Sequence, residues 1–271
     1  MASFFARLGQ RIFRWLDGEP LPLPPWQPGW SDFLREHVVF YRTLSAQDQA
    51  VFELRIRQFL ATTRVEGGEQ VEVTDEDRLL VASGAVIPVW AFPDWHYFNV
   101  NAVFLLPGLF NSRFECNRPD SVISGMVGNG PMAGKLALSK PHMRAGFANS
   151  RDKQNVAIHE FAHLVDGADG NVDGFPERME SYQQSEPWFA LVKHKVEQIE
   201  TSRTGISKYA TVNHAEFFAV ASEYFFERPE LMQKKHPQLY QWLSEFYHQN
   251  VAEQYQHNSG KKGGKNKKKG S

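Results

Sequence analysis

The stretch Asn155-Val-Ala-Ile-His-Glu-Phe-Ala-His-Leu-Val-Asp166 decides the reading of this 271-residue chain. It carries His159-Glu160-x-x-His163 inside a run that reads as a helix. Residues four apart share a helix face, so both imidazoles reach one metal ion. Glu160 sits one step round, placed to act on a water at that ion. Two neutral imidazoles, a neighbouring carboxylate and an open position are what a zinc-dependent hydrolase requires. With 10 histidines in the chain the bare pattern is a weak signal, so the flanks carry the weight. Val156, Ala157, Ile158, Phe161, Ala162, Leu164 and Val165 make the helix apolar nearly all round, and such a helix is buried. Burying two histidines and a glutamate is costly unless something satisfies them, and a metal ion does.

The remaining composition narrows the class. The chain is 42% hydrophobic and 23% charged, as expected of a globular protein with a substantial core. No apolar run approaches the roughly 18 residues of a membrane span, and the first residues lack the apolar core and cleavage site of a secretory signal. Cys116 stands alone, which excludes an intrachain disulfide and a cysteine zinc cage. A cytoplasmic location is therefore expected. Removing the six lysines of the last eleven residues from the net charge of −1 leaves −7 for the rest. An acidic body offers no footprint for specific nucleic-acid binding.

Outward from the central helix, Phe4, Phe5, Leu8, Ile12, Phe13, Trp15 and Leu16 recur at helical spacing between Arg7, Arg11 and Arg14. Such a basic amphipathic helix packs on its own domain or lies on a membrane surface. Five prolines between Glu19 and Trp30 read as an extended strap whose Trp26 and Trp30 dock on the body. Ser31 caps a helix to about Thr43, Ser45 with Asp48 one to about Thr63, and Thr74 one from Asp75 to about Ala85. Glu66-Gly-Gly-Glu69 reads as a loop. Strands are expected at Val89–Phe92, Val100–Leu106, Ser121–Met126 and Lys135–Ser139. Gly125 to Pro131 gives a turn signal. Helices follow from Trp188 to about Ser202, from His214 to Phe226, and from Leu231 to about Tyr255. The Lys/Gly-rich end, 258–271, is expected to be disordered.

A catalytic zinc needs a third protein ligand. The helix beginning at His214 offers Glu216 and Glu223, nearly two turns apart and so on one face. Asp169, ten residues after His159, is an alternative, although Asp166 stands where that pattern wants a glycine.

His159-Glu-Phe-Ala-His163 with Asp166, Tyr209-Ala, and Ala215-Glu-Phe-Phe-Ala-Val-Ala-Ser-Glu-Tyr-Phe-Phe226 resemble the Mlc titration factor A family. That family comprises bacterial cytosolic zinc peptidases whose metal site is similar to that of the anthrax lethal factor protease domain. Val71-Glu-Val-Thr-Asp-Glu76 and Leu136-Ala-Leu-Ser139 extend the likeness across most of the chain. The resemblance implies an α+β, mostly helical zincin-like domain over 31–257, with a small mixed sheet beside the metal helix. Residues 1–30 are then an appended helix and strap. It also implies one Zn2+ held by His159, His163 and Glu216, with Glu160 as the proton-transferring residue and Tyr209 as donor to the oxyanion. Zinc peptidases of this kind often carry an acid four residues beyond the glutamate ligand. Here that place is Val220, so Asp166 or Glu223 is expected to support a histidine. Lys135–Ser139 is the expected edge strand, with Leu136, Ala137 and Leu138 against an extended peptide. An aminopeptidase-like activity, a peptide or protein substrate, and binding of the Mlc transcriptional repressor in control of sugar-uptake genes complete what the resemblance implies. Sequestering a repressor, with peptidase activity weak or vestigial, is the competing reading.

Overall fold

The computed structural model describes residues 22–149, 152–176, 182–202 and 204–256. The expected amphipathic helix and the Lys/Gly-rich end lie outside the described residues. The first helix, α1 (Trp30–His37), starts at Gly29 without a side-chain cap. Ser31 lies inside it, so its expected capping role is corrected. Its hydroxyl accepts from Trp26 Nε1 at 3.0 Å and donates to Glu53 at 2.7 Å, which ties the proline strap to the body. Val38 is extended and buried, and it separates α1 from α2 (Val39–Thr43) where one helix was expected. Next comes α3 (Ala46–Thr62), whose cap Ser45 accepts from the Asp48 N–H. β1 (Arg64–Gly67) occupies the start of the expected loop. α4 (Asp75–Val86) then opens on a full capping box between Thr74 and Asp77.

The strand expected at Val89–Phe92 is a turn. Arg55 donates to the carbonyls of Trp90 at 2.7 Å and Phe92 at 2.9 Å. Those backbone acceptors are satisfied without a strand partner. β2 (Ala102–Leu106), β3 (Gly125–Val127) and β4 (Lys135–Ser139) complete a sheet of order β1-β2-β4-β3. β1, β2 and β4 run parallel, with Ala102 opposite Lys135 and Leu106 opposite Ser139. β3 is antiparallel to β4, with Gly125 opposite Leu138. β4 is therefore an inner strand, paired on both sides, and its Leu136, Ala137 and Leu138 are buried. The expectation that it offers a free edge to substrate is overturned; on the side of the metal helix the free edge belongs to β3.

α5 (Lys140–Ala148) follows β4 directly, with a proline in its first turn. The central helix is α6 (Val156–Asp166), and α7 (Tyr182–Thr201) and α8 (His214–Glu227) complete the surroundings of the site. Pro237 divides the expected C-terminal helix into α9 (Pro229–Lys235) and α10 (Pro237–Tyr247), with a last helical turn at 251–256. One apolar cluster runs from Leu34 to Ala252 and contains most of α6 and α8. Gly84 of α4 lets α6 approach closely: a Cβ there would stand 2.6 Å from that of Ala157.

α4 and α5 are clamped by Asp77, which is buried. Arg144 Nε donates to it at 2.6 Å, and Lys140 Nζ lies 3.0 Å away. Burial alone would raise the Asp77 carboxyl, but Arg144, the Thr74 N–H and Lys140 hold it below its ordinary value. Asp77→Asn is expected to cost about 2–3 kcal/mol in urea unfolding, since a buried carboxylate partner is removed from two cations. A lowered carboxyl pKa contributes stability above the unfolded value and loses it as pH falls through the folded one. The gap between wild type and variant should therefore close below about pH 4.

Candidate metal centre

Two asparagines set the phase of the helices that build the site. Asn155 caps α6 through the Ile158 N–H, and Asn213 caps α8 through the N–H of Glu216 itself at 2.8 Å. α6 presents His159 and His163 one turn apart, while α8 presents Glu216 and Glu223 two turns apart towards them. His159 Nε2 lies 3.2 Å from His163 Nε2 and 3.1 Å from Glu216 Oε2, and His163 Nε2 lies 3.5 Å from the same oxygen. Among the described residues, these three form the one group of histidine, cysteine and acid side chains spaced to hold a metal ion.

The donor set fits zinc. Tetrahedral bonds of about 2.0–2.1 Å separate neighbouring ligand atoms by about 3.3 Å, close to the three distances found. Glu223 Oε1 accepts from His159 Nδ1, which leaves the Nε2 lone pair aimed at His163 and Glu216. Two lone pairs and a carboxylate oxygen facing one another call for a cation between them. Burial opposes protonation of His159, yet Glu223 and Glu216 hold its pKa well above the ordinary value. Burial would raise Glu216, but His159 and His163 hold it far below the usual carboxylate range. Glu216 and Glu223 thus favour positive charge between these groups, which a proton on His159 or a metal ion supplies.

Glu160 is buried beside the histidines. Burial pushes its carboxyl up, against the pull of His159 and His163. Its neighbour on the sheet is Gly125 of β3. A Cβ at that position would stand 2.5 Å from Glu160 Oε1 and 2.7 Å from its Cγ, so the edge-strand backbone lies directly on this side chain. Tyr209 sits on a 3₁₀ turn (Lys208–Thr211) ahead of α8, half exposed, with its ring centroid 6.1 Å from that of His159. Burial and the nearby Glu216 carboxylate push its hydroxyl up to about 12, so it is a donor at neutral pH.

Of the two acids expected to support a histidine, Glu223 does so. Asp166 makes no hydrogen bond to either histidine among the described residues; its Oδ2 accepts from the Gly174 N–H at 2.8 Å. His163 Nδ1 and Asp166 Oδ1 are buried with no hydrogen-bond partner among the described residues. Asp169, the alternative ligand, is exposed and accepts from the Asn171 N–H. Gly125 was expected in the strand Ser121–Met126 and at the head of a turn signal, with no role at the site; the observed strand is Gly125–Val127, and a glycine at its start has no distinguishing pattern of its own.

Histidines and a glutamate converging from two buried helices of an α+β domain make a site that could hold a metal ion, and the sequence places the chain among the metallopeptidases. The chain belongs to the glucose-regulated metallo-peptidase M90 family, whose sequence model matches residues 14–248. It is 31% identical over 246 residues to the uncharacterized protein slr2042 of Synechocystis, covering 86% of this chain and 89% of that one. It is 32% identical over 112 residues to Mlc titration factor A of Enterobacter, 39% of this chain and 42% of the relative. The Escherichia coli protein of the same name is 33% identical over 109 residues, 38% and 41% of the two chains. The match thus spans about two fifths of the Mlc titration factors.

Metal content by mass spectrometry after a chelator wash separates the candidate ligands. Glu216→Ala should lose the ion or hold it at least tenfold more weakly, whereas Asp169→Ala should retain it like wild type.

Proposed function

We propose that the chain is a zinc-dependent peptidase, aminopeptidase-like as its family resemblance implies. The observation that carries this reading is the convergence of His159, His163 and Glu216 at 3.1–3.5 Å beside the buried Glu160. The bound zinc would polarise the scissile carbonyl and acidify a water. Glu160 takes the proton of the attacking water and returns it to the leaving amine, a task suited to a carboxyl raised by burial. Tyr209 donates its O–H to the oxyanion as charge develops there, a contact made mainly in the transition state. An extended peptide pairs with the free edge of β3, which places its backbone next to Glu160. Glu223 keeps His159 in the tautomer that a metal needs.

Glu160→Gln should keep zinc and lose nearly all turnover of a peptide substrate; near-normal hydrolysis removes Glu160 from the proton transfer. Tyr209→Phe should lower kcat at least tenfold with little change in KM, and an unchanged kcat removes the tyrosine.

Binding of an Mlc-like repressor, and through it control of sugar-uptake genes, is a second reading. It is supported by the name of the relatives matched over part of their length. It separates from catalysis experimentally: Glu160→Gln protein should capture a purified Mlc-type repressor as well as wild type does. Absence of capture by either protein leaves the peptidase reading alone.

A further inference from the structure

Asn155 does more than a helix cap requires. It is fully buried at the start of α6. Its Oδ1 accepts from the Ile158 N–H at 3.3 Å, and that contact alone makes the cap. Its Nδ2 donates to Glu227 Oε1 on the last turn of α8 at 2.9 Å. Its backbone N–H also favours the charged form of the Glu223 carboxyl. Glu223 and Glu227 are four residues apart on one face of α8, so the Asn155 side chain holds that helix one turn beyond the residue that backs His159. Glu223 is also the group that accepts from His159 Nδ1.

We propose that Asn155 and Glu227 form a tether that positions the metal site, fixing Glu223 so that it holds His159 Nε2 on the metal. The inference rests on the metal reading above. The residue types follow from the task. Aspartate would cap α6 equally well but would set a third carboxylate against Glu223 and Glu227. Serine would cap but could not span to α8. The asparagine amide supplies an acceptor to its own helix and a donor to the other. Neither Asn155 nor Glu227 belongs to the group spaced to hold an ion, so both are positioning residues.

The test is zinc affinity of chelator-stripped, reloaded protein, by competition with a chromogenic chelator, alongside the Tm of the metal-free form. Asn155→Ser keeps the cap and removes the tether, and Glu227→Leu removes its acceptor from the other side. Each should weaken zinc binding about tenfold or more, in the range found for residues that orient metal ligands. Glu227→Gln keeps an acceptor for Asn155 and should stay within about threefold of wild type. The double variant Asn155→Ser/Glu227→Leu should lose no more than the worse single variant, because both cut the same link. Zinc affinity close to wild type in both single variants overturns the tether. So does a double-variant loss equal to the product of the two single losses, or a fall in metal-free Tm with no change in affinity. Wild type that takes up no zinc overturns the metal reading itself, and is distinguished from those outcomes by the wild-type measurement alone.

Discussion

Two imidazole nitrogens and a carboxylate oxygen face one another at little more than 3 Å between helices that are otherwise apolar. Such groups favour positive charge between them, which a proton or a metal ion supplies. The rest of the molecule is arranged to keep α6 and α8 at that separation and in that rotational phase. The two caps, Asn155 and Asn213, fix where each helix begins, hence which way His159 and Glu216 point. A helix started one residue later would turn its side chains by about 100° and dissolve the cluster.

The sheet and the turn ahead of α8 both reach the histidine cluster. β3 brings a bare backbone against Glu160 because its residue there is glycine. The 3₁₀ turn brings the half-exposed Tyr209 ring to 6.1 Å from that of His159. The supports of α6 are equally specific. Gly84 allows α4 to close on it, and Asp77 locks α4 to α5 with two cations.

Much of this was legible in the sequence because its signals are local. His159, Glu160 and His163 share one helix, and the capping signals at Ser45 and Thr74 appear where residue type and spacing placed them. Glu216 was reachable from spacing plus the family resemblance. What escaped depends on contacts distant in sequence. Val89–Phe92 has strand composition, but Arg55 satisfies its carbonyls. Lys135–Ser139 was correctly placed as a strand, yet strand order is a property of the whole sheet, so its inner position could not be read from five residues. Ser31 has the right type for a cap and was instead recruited by Trp26 and Glu53. Asp166 and Glu223 were both expected candidates to support a histidine, and spacing could not choose between them: the Gly174 N–H donates to Asp166, while Glu223, 64 residues from His159, backs that histidine.

The two histidines are therefore unequal although their chemistry is identical. His159 is gripped from behind by Glu223 and lies nearer Glu216, while His163 Nδ1 has no partner among the described residues. An imidazole backed by a carboxylate is the more basic donor and the more firmly aimed. His159 is thus contacted at both ring nitrogens and His163 at one, so the orientation of His159 is the more fully fixed of the two.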